Sequence, residues 1–453
     1  MNKSSSIKNN SLFNGQTLGN ALYSMTWPML IGVVALMGYQ LVDSIFISML
    51  GTEPLAALGF TVAVNQLLIG VQIGLGIATT ALISRAIGAK NQRLARNLGG
   101  FILLTGSALM AVLCIIAWVT RDLILTALDA PALLWSTISG YWVPWLISVW
   151  MGATLYLAYS VARAQGNTKL PGAVMLLTSV LNTLFDPILI FVFDWGLPGA
   201  AWATNLSFFI GSLIMWKRIK LYRWVKYSTK SLPVWTAFKD LGFISGPAML
   251  SQLMPGIAAM TATTIVAGFG ASAVASWALA SRLEFFSIVI VLALTSSMPP
   301  MVGRLFGARE YGKIHQLILL AVKFVLILQA VIAVFWISLS WLLPGLLSSD
   351  PAVIRYMQMW FIVVPLSFGA LGTCMIMVST TNALGMPIKA VKISALRLFI
   401  CYLPALWLGS LIAEMKGLFI GVLVGNIAAG SIAWIMYKQA MQTVENKALY
   451  KDV

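Results

Sequence analysis

The sequence predicts an all-α integral membrane protein of twelve transmembrane helices arranged as two homologous six-helix lobes. Three observations carry this. Of 453 residues, 60% are hydrophobic and 9% are charged, against roughly a quarter charged in soluble domains. Twelve apolar runs have about the 20 residues a helix needs to cross a bilayer. Finally, residues recur at a fixed offset of 219: Pro28 and Pro247, Gly51 and Gly270, Arg85 and Arg304, Gly88 and Gly307, Ala89 and Ala308, Gly166 and Gly385. The strings RAIGAKN and RLFGARE coincide under that offset. This composition excludes a soluble enzyme, a disordered regulator and a disulfide-stapled secreted domain.

The first six spans centre in 22–50, 55–83, 98–119, 133–158, 171–193 and 198–216. The second six centre in 242–267, 272–299, 315–343, 353–379, 390–412 and 417–437. Helix is the default because lipid leaves exposed backbone groups unsatisfied. Several runs exceed the bilayer requirement, which implies tilt or protrusion. The chain thus divides into an N-terminal lobe (1–216), a basic linker (217–240) and a C-terminal lobe (241–453). Six spans per half bring both halves into the membrane from the same side. That makes a parallel repeat, the layout of alternating-access transporters. No GxxxxGK[ST] motif occurs, so ATP is not the expected direct energy source. The polar first twenty residues do not form a signal-peptide n-region, and the first span is expected to be retained.

The net charge of +16 would suggest nucleic acid in a soluble protein. Here the charges sort by side. With a cytoplasmic N-terminus, 23 of the 29 Lys and Arg fall on the cytoplasmic side, from Lys3 and Lys8 through Arg85, Arg163, Lys230 and Arg304 to Lys447 and Lys451. The asymmetry follows the positive-inside rule with both termini cytoplasmic. It implies a multi-pass protein of a cytoplasmic membrane, in contact with lipid and not with nucleic acid.

Ionisable residues inside spans are costly and point to function. Asp43 lies in the first span and Asp186 in the fifth. Arg282 and Glu284 lie in the eighth, Lys323 in the ninth and Arg397 in the eleventh. Met175, Ser179, Asn182 and Asp186 share one helical face, as do Tyr39 and Asp43. Both aspartates fall toward the outer ends of their helices. Two carboxylates in a dry lobe do not both stay ionised cheaply. The expected outcomes are uptake of a proton, a Na+ held by Asp43, Asn182, Asp186 and Thr204 oxygens, or a static hydrogen-bonded pair. Under the offset Asp43 falls on Ala262, Asn182 on Cys401 and Asp186 on Ala405. An acid kept in one half only suggests coupling more than packing. Glu284 is the secondary candidate, in the C-terminal lobe. Pro28 and Pro247 interrupt the first helix of each lobe, as a fixed kink or as a hinge.

Cys114, Cys374 and Cys401 sit in apolar stretches, and His315 is the single histidine. They form no catalytic or metal constellation, so neither enzyme activity nor a cofactor is expected. The abundant Met and aromatic residues suit packing, and equally suit varied amphipathic cations.

Two parallel six-helix lobes, WPML in the first helix, the RAIGAKN loop and LNTLFDP in the fifth helix resemble the multidrug and toxic compound extrusion family. Asp43 with LNTLFDP resembles its DinF-type subgroup. The resemblance implies a secondary active exporter of amphipathic, often cationic drugs, exchanged for H+, the favoured ion, or for Na+. It implies that Asp43 is the essential first-helix acid and that Asn182, Asp186 and Thr204 form the cation cluster. Tyr39 and Tyr141 look like pocket lining, to which Met175 and Ser179 are added. Pro28 looks like the hinge at which helix one bends. The acids of the NorM-type pattern are absent from 242–267 and 353–379, which leaves Glu284 as the candidate there. The alternatives are a lipid-linked precursor flippase, which needs a strongly basic cavity, and a non-transporting scaffold. Two lobes in one chain make a monomer sufficient.

Overall fold

The computed structural model describes residues 17–227 and 233–449. Lys3, Lys8, Lys230 and Lys451, counted above, lie outside the described residues, as does the side chain of Lys447. Every regular element described is helical. The first half contains α1 (Leu18–Met49), α2 (Thr52–Gly88), α3 (Gln92–Val119), the short α4 (Arg121–Ala127), α5 (Trp135–Ala164), α6 (Lys169–Pro187) and α7 (Gly196–Leu221). The second contains α8 (Val234–Ala267), α9 (Ala271–Ser287), α10 (Val289–Gly307), α11 (Tyr311–Leu339), the short α12 (Leu343–Leu347), α13 (Pro351–Val363), α14 (Phe368–Ala383), α15 (Pro387–Ala395) and α16 (Leu403–Leu449).

Among the described residues, eleven helical stretches are long and apolar enough to cross a membrane. The last, Pro387–Asn446, is 60 residues and doubles back where Ala413 and Glu414 leave helical geometry. The described crossings are therefore twelve, with four interruptions that the hydropathy pattern does not reveal, one of them the π turn Leu396–Tyr402 between α15 and α16. The eighth crossing breaks at Ile288 into α9 and α10. There the Ser287 carbonyl accepts from Gln329 Nε2 at 3.0 Å, and its hydroxyl accepts from Trp336 Nε1 at 2.8 Å. Pro365 turns the tenth crossing into a 3-10 segment, Val364–Ser367. Pro187 lacks a backbone donor, and α6 passes beyond it into a π turn, Ile188–Val192.

The repeat reappears in the backbone. Positive φ occurs at Gly51 and Gly270 (111° and 95°), at Lys90 and Arg309 (59° and 60°), and at Gly166 and Gly385 (79° and 75°). Gly166 and Gly385 end α5 and α14 with matching paired bonds: Gly166 N–H to Arg163 and Asn167 N–H to Ala162, against Gly385 N–H to Asn382 and Met386 N–H to Thr381. Left-handed backbone at such a C′ position is where glycine carries no Cβ penalty.

The halves meet between mid-bundle and the basic end. Arg85 Nε donates to the Ala383 carbonyl at 2.9 Å and Arg85 Nη2 to that of Asn382 at 3.3 Å. Arg304 Nη2 donates to the Ala164 carbonyl at 3.0 Å. The Ala383 and Ala164 carbonyls lie in the last turns of α14 and α5, at the negative end of a helix dipole, where carbonyls lack intrahelical donors. Thr26 and Ser297 share a 2.8 Å hydroxyl bond between α1 and α10. Ala21, Leu22 and Met25 of α1 are buried in the core of the second half.

Arg85, Arg163 and Arg304 need a correction. Counted as loop cations, they are instead drawn into the protein. Arg163 is 4% exposed and Arg304 8%, and Arg85 is half-buried against Phe306. Guanidinium groups go to unpaired carbonyls and aromatic faces when these are within reach.

Candidate functional site

Two sites stand out, in different places. The first lies within the N-terminal half, where α1 packs along α6. The close seam depends on two glycines: a Cβ at Gly32 would sit 2.8 Å from Met175 Sδ, and one at Gly172 would press into the Pro28 carbonyl. Along this seam, one turn apart on α6, Asn182 Nδ2 donates to Asp186 Oδ1 at 3.2 Å. It also donates to Thr204 Oγ1 on α7 at 3.1 Å, and Thr204 donates back to the Ala200 carbonyl at 3.2 Å. Asp186 is fully buried and Asn182 nearly so. Asp43, on α1, is within electrostatic reach of Asp186, and Tyr39 and Tyr141 are within reach of Asp43.

Of the four expected residues, Asn182, Asp186 and Thr204 are joined by hydrogen bonds and Asp43 stands within electrostatic reach of Asp186, with acceptors left over. Asp43 Oδ1, Asn182 Oδ1 and Asp186 Oδ2 are all buried without a hydrogen-bond partner. A buried acceptor without a partner is costly. A proton on a carboxylate would supply a donor, and a hard cation such as Na+ would accept all three oxygens as ligands.

The second site is a cavity of about 490 Å³ between the halves, within the usual size range of small-molecule sites. Seven pairs of its lining residues are related by the repeat offset, among them Val33 with Gln252, Tyr156 with Met375 and Arg163 with Asn382. The rest of the lining belongs to the C-terminal half, including Ser251, Glu284, Ser394 and Arg397. The repeat explains the one-sidedness. Gly32, Gly172 and Met175, which close the α1–α6 seam, correspond to Ser251, Val391 and Ser394. In the second half the glycines are gone and the filling Met is a serine, so α8 stands off and space remains.

A family model described as MatE matches residues 28–188 and 247–408. The chain belongs to the MatE family. It is a multi-pass membrane transporter by that membership. It is 29% identical over 437 residues to a FAD transporter of Shewanella oneidensis, covering 94% of this chain and 96% of that protein. It is 24% identical over 347 residues to the multidrug export protein MepA of Staphylococcus saprophyticus, 76% of each chain. Its fold superposes on the Vibrio cholerae MATE transporter VcmN, crystallised in the bent form. That match has a TM-score of 0.93 and 49% identity, covering 94% of this chain and 98% of that one.

Within this MATE fold, none of Tyr39, Tyr141, Met175 and Ser179 lines the central cavity. Met175 and Ser179 are buried in the α1–α6 seam, with Ser179 Oγ donating to the Met175 carbonyl at 2.9 Å. Tyr141 is 6% exposed, stacked on Trp145. Pro28 sits in an uninterrupted α1, its carbonyl against Gly172. Glu284 does line the cavity. Arg282 and Lys323 do not, and both are exposed. His315 stacks on Tyr437 at 6.2 Å. Of the three charged lining residues, the sequence places Glu284 and Arg397 inside spans and Arg163 only in a cytoplasmic loop.

Proposed function

We propose that this protein is a secondary active exporter that exchanges amphipathic compounds, organic cations among them, for inward-moving H+ or Na+. The observation that carries this reading is the trio of buried, unpartnered acceptors on Asp43, Asn182 and Asp186. They form a ready receiver for one small cation, and the three residues that bear them occur in one half of the repeat only. Relatives that export multiple drugs and that transport FAD support an amphipathic cargo. Asp43 and LNTLFDP favour the DinF-type subgroup.

In this reading the basic end faces the cytoplasm of a bacterial cell, with both termini there. The halves are clasped at that end, so the cavity serves the opposite side. A cation reaching the Asp43 cluster neutralises it and changes how α1 lies on α6, with Pro28 as the point of give. The halves then part at the clasp and the cation leaves inward. The driving force is worth about 2.3 kcal/mol per charge per 100 mV of potential. A proton is the favoured ion: on a carboxylate it turns one of the three unpartnered oxygens into a donor for another, whereas Na+ needs all three within ligand distance of one point. A lipid-linked flippase is less well supported, since only Arg163 and Arg397 bring positive charge to the cavity.

The test uses proteoliposomes loaded with ethidium. Efflux is compared under an imposed pH gradient without Na+ and under a Na+ gradient at constant pH. Asp43→Asn should abolish gradient-driven efflux while the protein still inserts and purifies. Wild-type efflux from that variant would overturn the reading.

A further inference from the structure

The central cavity contains charge that cation coupling does not use. Arg163 projects from α5 and is 4% exposed. Its Nη2 donates to Ser160 Oγ at 2.7 Å, and its guanidinium lies 5.0 Å from the Tyr156 ring centroid. Its Nε is buried with no partner. Arg397, in the π turn Leu396–Tyr402 that follows α15, lines the same cavity, and its Nε too is buried without a partner. Glu284 is the one carboxylate of the lining. It is within electrostatic reach of Arg397, but no ion pair joins Glu284 to either arginine among the described residues. Two guanidiniums therefore face one carboxylate, and a buried cation without a counter-ion is costly.

The repeat offers an internal control. Arg85 and Arg304, which bind the halves together, recur at the 219 offset. The cavity charges do not: Arg163 corresponds to Asn382, Arg397 to Thr178 and Glu284 to Asn65. Charges that serve architecture are duplicated, and those in the cavity are single. Hydroxyl and amide groups of Ser251, Gln252, Ser296 and Ser379 add hydrogen-bonding capacity to the same wall.

We infer that Arg163 and Arg397 form an oxyanion subsite in the central cavity, so that amphipaths bearing a phosphate or carboxylate are cargo alongside cations. Guanidinium groups suit this chemistry, since each offers N–H donors in a fork that fits a phosphate or carboxylate edge. The subsite deepens the transport reading and rests on it for the word cargo. Binding itself is measured without a gradient, so the two fail separately.

The probe is methylumbelliferyl phosphate, compared with its neutral methyl ether, titrated into purified protein in lipid nanodiscs and read by fluorescence polarisation. The phosphate should bind at least tenfold more tightly than the ether. Arg163→Gln and Arg397→Gln should each weaken it about tenfold, and Arg163→Lys should restore part of the loss. Glu284→Gln should tighten binding, and Arg282→Gln, at an exposed position off the cavity, should leave it unchanged. Nanodiscs with and without phosphatidic acid separate the sources of the anion. Displacement by that lipid assigns the subsite to a headgroup, and indifference assigns it to soluble cargo. Equal affinity for phosphate and ether, or binding unaltered in both Gln variants with their thermal melts intact, would overturn the inference. Asp43→Asn should still bind the phosphate, and wild-type protein that binds it but shows no gradient-driven efflux would refute the transport reading alone.

Discussion

Arg85 and Arg304 occupy equivalent positions in the two halves, and each donates to the last turn of the helix that ends at the other's counterpart acceptor, Ala383 or Ala164. The clasp is reciprocal because 85 and 304 differ by the same 219 as 164 and 383. Hydrogen bonds from charged groups contribute about 1.5–3 kcal/mol each. Losing both should shift the balance toward the state open at the basic end by tenfold or more. The check is labelling of Ser296→Cys, in the cavity wall, by a membrane-impermeant maleimide from the basic side. Arg85→Ala with Arg304→Ala should raise the labelling rate several-fold. An unchanged rate removes the clasp from the gating step.

Asn182 is the hub of the acid cluster, since its single amide group serves both Asp186 and Thr204. Asn182→Leu removes both bonds and leaves Asp186 without its donor. Its coupled efflux should fall at least tenfold. Thr204→Val removes one acceptor at the margin and should cost less. Initial rates in proteoliposomes at matched protein density decide between them, and a Thr204 effect exceeding that of Asn182 would refute the hub.

The closed seam between α1 and α6 should resist added volume. Gly172→Ala pushes a methyl group into the Pro28 carbonyl, and overpacking of this kind costs about 1–3 kcal/mol. Gly38, on the same helix α1, has nothing within 4 Å of where a Cβ would go. Gly38→Ala should therefore gain about 0.5–1 kcal/mol through helix propensity. Thermal melts in detergent should move in opposite directions for the two variants.

Asp350 lies outside the spans and caps α13. Its carboxylate accepts from Ser272 Oγ at 2.6 Å and from the Ala352 N–H at 2.8 Å. The Ser272 bond, then the backbone bond, holds its pKa below the usual carboxylate value. A depressed folded-state pKa gives stability that is present above the unfolded value, near 4, and is lost as pH falls through the folded one. Asp350→Asn should lower the melting temperature at pH 7, and the gap to wild type should close on acidification below about pH 4. A gap constant with pH would mean that the charge contributes nothing there.

The spans and their duplication could be read from the sequence because both are periodic: hydropathy at the scale of a bilayer, and residue identity at 219. The Asn182–Asp186 contact could be read because one helical turn separates them. The cavity could not, because it arises from absences: Ser251 and Val391 where the first half has Gly32 and Gly172. No run or motif marks such a gap before packing is known. Arg163 was hidden differently. Its neighbours made it look like one more cation of the basic loops, whereas its burial depends on Tyr156 and Ser160 facing it. The available signal was the offset itself, which pairs Arg85 with an arginine but Arg163 with Asn382. The break at Ile288 depends on tertiary partners, Gln329 and Trp336, and leaves no trace in composition, whereas the turn at Ala413–Glu414 falls between the spans 390–412 and 417–437 read from the sequence.

The acid cluster and the cavity wall share no residue. In the transport reading, ion and cargo therefore do not compete for one carboxylate, and the exchange between them is mechanical. It must cross the joint where α1 meets the other half, at the Thr26–Ser297 bond. Loosening that joint should leave both binding events intact and let each proceed without the other: a slipping clutch, leaking ions and releasing cargo out of step.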